Sequence, residues 1–225
     1  MGIVKGLKNM GRTLDSSSSI GDGPKVEWFK IGDGEKVKVK FLQELDPDST
    51  NYDKEAGVAF IAIEHSNPVN FKRKALCSAD DQGQCYGCEQ HRKDFKAGWK
   101  GKSRLYANVL VDNGKDAPFV AVISQGTGPK SITPSIIEYA NETGSITDVV
   151  WQVKRTGSGN TDTSYNIIPL PTAKIETPAG TVLFDLETSA VRDIAYAEQE
   201  SFYLGLEQGA SSAPQDSKSF TSEEW

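Results

Sequence analysis

At 225 residues the chain suits one sizeable domain with tails and is short for two. Apolar residues make up 37% and mean hydropathy is -0.46, and no apolar run approaches the roughly 18 residues that cross a bilayer, so no membrane span is expected. The net charge of -6 speaks against a nucleic-acid partner until its distribution is read: residues 1–175 hold 23 Lys/Arg against 21 Asp/Glu, residues 176–225 hold 2 against 10, and the stretch 71–104 holds 9 against 4.

Residues 1–20 carry Lys5, Lys8 and Arg12 and then four serines, the pattern of a short basic arm on a flexible link. This N-terminus has neither a long apolar stretch nor a small-residue cleavage site, so no secretion signal is expected and the expected location is the cytosol. Residues 36–42 alternate Lys36, Lys38 and Lys40 with Val37, Val39 and Phe41, which predicts a half-buried strand with a cationic outer face. Residues 58–64 predict a more buried strand, and 104–111 with 118–124 predict a hairpin. Thr133 and Pro134 give the cap and first turn of a short helix running to Tyr139 and stopping near Gly144. Residues 148–155 and 164–169 predict two further strands around a polar loop, and 188–206 are helix-compatible. Five to six short strands with few short helices make the expected fold mainly β, an OB-type Greek-key barrel over 21–206. The Ser-rich, aperiodic stretch 207–225 is expected to be an acidic, disordered tail.

Cys85 and Cys88 form a Cys-x-x-Cys around Gly87, the spacing that lets two thiolates grip one ion. Cys77 lies eight positions upstream, and the chain's two histidines, His65 and His91, fall in the same 27 residues. Three cysteines and one histidine complete a tetrahedral zinc site, with either His65 or His91 as fourth ligand. Four protein ligands would close such a site, which makes it structural rather than catalytic. The zinc-deaminase pattern of His-x-Glu and Pro-Cys-x-x-Cys is missing, since Glu64 precedes His65 and Gln84 precedes Cys85. Glu64 and His65 are also expected on opposite faces of one strand. No enzyme is expected.

The metal segment, about 65–100, is flanked by cations and interleaved with aromatics, the composition that holds single strands by phosphate contacts and base stacking. Lys72, Arg73 and Lys74 precede Cys77; Arg92, Lys93, Lys96, Lys100, Lys102 and Arg104 follow Cys88; Phe71, Tyr86, Phe95, Trp99 and Tyr106 lie among them, with Lys154, Arg155 and Tyr165 on later strands. Trp151 and Phe95 are expected in the core, and a zinc-stabilised protein-interaction adaptor, for transcription or recombination, is the alternative reading.

The order of these parts resembles the T-even phage single-stranded DNA-binding proteins: VKVKFLQ, then His65, Cys77, Cys85-Tyr86-Gly87-Cys88, and then KGKSRLYANVLV. The resemblance implies an OB-fold with an inserted zinc subdomain, His65 as the fourth ligand, and sequence-tolerant binding of single strands in DNA replication, recombination and repair. It also implies cooperative self-association through the N-terminal arm and a phage-encoded protein acting in the bacterial cytoplasm. Its C-terminal tail, here with Asp216, Phe220, Glu223, Glu224 and Trp225, would recruit replication and recombination proteins. The Cys77–Cys85 gap is shorter than in that family.

Overall fold

The computed structural model describes residues 26–159 and 162–206. The basic arm and the tail residues Asp216, Phe220, Glu223, Glu224 and Trp225 lie outside them. The described chain is mainly β. Seven antiparallel strands, β1 (Lys36–Phe41), β2 (Phe60–Ser66), β3 (Lys74–Leu76), β4 (Lys102–Asp112), β5 (Phe119–Gly126), β6 (Val150–Thr156) and β7 (Ser164–Leu170), form one sheet. Five short helices accompany it: α1 (Ala79–Gln82), α2 (Tyr86–Lys93), α3 (Thr133–Thr143), α4 (Leu186–Ser189) and α5 (Tyr196–Leu204). No helix among the described residues is long and apolar enough to cross a membrane.

The strand order is β3-β2-β4-β1-β6-β7, with β5 on the other edge of β4. One edge of the eleven-residue β4 serves two partners, β2 along its first half and β1 along its last four residues. No pairing joins β5 to β7, so the sheet is open among the described residues; the expected five- to six-stranded barrel is met by seven strands without closure.

The period-2 alternation of β4 sorts two cores. Leu105, Ala107, Val109 and Val111 point inward with Val39, Phe41, Ile123, Trp151 and Val153, and α3 seats Ile136 against them. Trp151 is thus in the core, as its strand position predicts, and its indole N–H donates to the Ile146 carbonyl at 3.0 Å. Tyr106 and Leu110 point outward, where residues of the C-terminal segment, Leu186, Ala190, Val191 and Ile175, cover them. Asn108, fully buried on that outer face, fastens the cover: its Nδ2 donates to the Phe184 carbonyl at 2.9 Å and its Oδ1 accepts from the Phe184 N–H at 3.1 Å. The helix at Thr133 differs in its cap, for Ile132 holds the cap position and the Thr133 hydroxyl donates instead to the Gly126 carbonyl at 2.8 Å.

Candidate metal centre

Short antiparallel pairing of β2 with β3 sets His65 opposite Ala75 and delivers Cys77 just past the strand end, where its N–H donates to the Ile63 carbonyl at 2.8 Å. Cys85 caps α2 in extended backbone, and Cys88 lies in that helix's first turn. The ligand atoms of His65, Cys77, Cys85 and Cys88 all lie within 4.8 Å of one another. Cys77 Sγ is 3.6 Å from Cys88 Sγ, and Cys88 Sγ is 3.3 Å from His65 Nε2. Metal–sulfur and metal–nitrogen bonds of tetrahedral sites imply ligand–ligand edges of about 3.5–3.8 Å. The four side chains can therefore hold a metal ion.

The surroundings orient the ring. His65 Nδ1 lies 2.7 Å from the Trp99 carbonyl, which can only accept, so Nδ1 carries a hydrogen and Nε2 is the nitrogen that faces the thiols. A Cβ on Gly87 would fall 2.3 Å from His65 Cγ, and one on Gly101 3.2 Å from His65 Cε1, so two glycines make the slot that the imidazole fills. Burial opposes charge on His65, but hydrogen bonds with Cys85, the Trp99 carbonyl and Cys77 outweigh it and hold the ring up at about 9. Burial also opposes ionisation of Cys85, yet its hydrogen bond to His65 and backbone hydrogen bonds at Cys88 and Ser78 pull the thiol down to about 6. Cys88 is pushed up to about 12, first by burial and then by Cys77 and the negative charge at Cys85. His91, the other candidate, lies outside the cluster; its Nδ1 is buried without a hydrogen-bond partner among the described residues and its ring meets Phe95 edge-on at 5.0 Å. Glu64 points to the opposite sheet face from His65, as strand geometry requires, and accepts from the Tyr106 hydroxyl at 2.5 Å and from Lys74 Nζ at 3.0 Å.

A second layer comes from a part of the chain more than a hundred residues away. Tyr86 stacks on Tyr203 of α5 at 5.9 Å, and Trp99 meets Tyr203 edge-on at 5.1 Å. Gln199, fully buried, accepts from the Tyr86 N–H at 2.9 Å and donates to Ser78 Oγ at 2.9 Å. Asn67 and Arg73 donate to the carbonyls of Tyr203 and Phe202 at the end of α5. Helix-compatible composition at 188–206 gives no hint of this docking; the only trace is the aromatic pair Phe202-Tyr203.

The nucleic-acid candidates divide. Tyr106 is 0% exposed and Trp99 is buried, so neither offers an open ring face; Tyr86 and Tyr165 are partly buried, Tyr165 against the inner core. Phe95, expected in the core, is 71% exposed, and Phe71 is 68% exposed. Apolar strand-free loops that lie beside a cation cluster carry no periodicity to mark such rings. Arg104 is engaged with Ser124, and Arg155 donates to the carbonyls of Ile31 and Gly157. Lys74 pairs with Glu64. Lys72, Lys93, Lys96, Lys100, Lys102 and Lys154 are exposed with no ion pair among the described residues, while exposed Arg92 reaches the Cys88 carbonyl.

Compared with protein-family models, curated proteins and solved structures, the chain matches none.

Proposed function

We propose that the protein is a sequence-tolerant single-stranded DNA-binding protein whose metal is one structural zinc ion. The observation that carries this reading is the lobe built around the Cys3His cluster. Phe71 and Phe95 stand open to solvent beside Lys72, Arg92, Lys93 and Lys96, on loops held by the Cys3His cluster and α5. Gly98 approaches Pro68, which brings the two phenylalanine loops together. Exposed aromatic faces among unpaired cations are the elements of a single-strand site. Zinc suits three thiolates and an imidazole in a closed tetrahedral set, and such a set leaves no position for a reactive water. The protein is accordingly read as a binding protein and not an enzyme. The open sheet is read as a variant of the OB-type barrel, with β4 shared between two partners. In this reading the protein is phage-encoded and serves replication, recombination and repair in the bacterial cytoplasm, with the N-terminal arm for self-association and the tail for protein partners.

Titration of an oligo-dT at several salt concentrations tests the reading. Binding is expected to exceed that of an equal-length duplex and to weaken with salt at a slope near -0.7 per phosphate neutralised, on the order seen for single strands. No preference over the duplex would remove the reading. Zinc analysis of the same sample should return one ion per chain.

A further inference from the structure

We propose that Lys36, Lys38 and Lys154 make a second set of phosphate contacts to the same strand, on the outer face of the sheet; this rests on the single-strand reading above. In the β1–β6–β7 register Lys36 faces Lys154 directly, and Lys154 faces Asn166. The neighbouring row runs from Lys38 to Gln152 to Ile168. All three lysines are exposed, and none has an ion pair or side-chain hydrogen bond among the described residues.

Like charges directly opposite on paired strands destabilise a sheet. The nearby carboxylates form no ion pair with these lysines among the described residues and are engaged with backbone N–H groups. Asp112, across from Lys38, accepts from the Gly114 N–H at 2.9 Å; Glu35 accepts from Gly32 at 2.7 Å; Asp33 accepts from Gly157 at 2.7 Å. An external anion therefore stabilises this face. The two rows are two residues apart along β1, roughly 6.5–7 Å, a step of the same size as that between successive phosphates of an extended strand. Ile168, half exposed at the end of one row, offers an apolar surface for a sugar or base of any sequence. A compact anion would occupy one row; a polymer of regularly spaced charges occupies both.

The test uses the full-length protein and a dT 20-mer titrated over a series of salt concentrations. K36Q/K38Q/K154Q is expected to bind more weakly, with a salt slope smaller in magnitude by about 2, from three contacts at about 0.7 each. Because cross-strand repulsion is relieved, the same variant is expected to melt at or above the parent temperature. K54Q/K115Q, which neutralises two exposed lysines elsewhere, should keep the parent slope. An unchanged slope in the triple variant, with the parent still binding the 20-mer, assigns these lysines to another anion and overturns the proposal. A parent that prefers duplex removes the underlying reading instead, so the two failures are distinct.

Discussion

At Gly87 the metal geometry depends on a side chain that is missing. The imidazole of His65 occupies the space a Cβ would need, and the overlap falls on ring and Cβ atoms that the Trp99 hydrogen bond holds in place. Gly87→Ala is expected to cost about 1–3 kcal/mol by overpacking and to weaken metal retention, read by denaturant unfolding and by chelator competition. Protonation gives a second residue-level test. His65 at about 9 and Cys88 at about 12 both hold protons at neutral pH, whereas Cys85 at about 6 is already thiolate. Metal uptake must displace both, so affinity falls as pH falls. Between the Cys85 and His65 values these two protons alone make the expected change at least about a hundredfold per pH unit, tenfold per proton released. A flat profile in a competition assay would show that these two side chains are not both ligands.

Among the elements, α5 acts as the buttress of the metal lobe. Gln199 satisfies groups on both sides of Cys85, and Tyr203 fills the space between Tyr86 and Trp99. Gln199→Ala leaves the Ser78 and Tyr86 partners short of hydrogen bonds and is expected to cost about 1–3 kcal/mol, with faster metal loss to a chelator. Strands such as β1 were legible because strict alternation survives in the sequence, and the three cysteines were legible because their spacing is a local pattern, whereas spacing alone left His65 and His91 both open as the fourth ligand. The cover over β4 was not legible. Tyr106 sits among cations in sequence and reads as a surface ring, yet residues 80 positions later bury it, and its hydroxyl pairs with Glu64. The elements β3, α1 and α4 run to only three or four residues, too short for any period to show.

Across the whole molecule, charge and apolar exposure are segregated. The metal lobe presents Phe71 and Phe95 with cations, whereas the cavity of about 610 Å³ between β2 and α3 has an apolar floor at Ile61 and Ile137 and acidic Asp46 and Asp48 at its rim. The acidic rim repels phosphate, so the proposed single-strand reading puts its contacts on the lobe and the cationic sheet face and none here. Phe71→Ala and Phe95→Ala should each lower oligo-dT affinity by about 1–3 kcal/mol, the range of one stacked base, with the salt slope unchanged because no charge is lost. The corresponding tryptophan variants should retain affinity and have their emission quenched by the oligomer. Equal affinity in both alanine variants would show that these rings do not carry bases.

The four metal ligands lie within 24 positions of one another, but the helix that roofs them ends 116 residues after Cys88. At synthesis rates of about 5–20 residues per second the cysteine-bearing loop leaves the ribosome roughly 6–23 s before its roof exists. Each nascent chain thus spends that interval with Tyr86 and Trp99 unroofed beside the cysteine cluster.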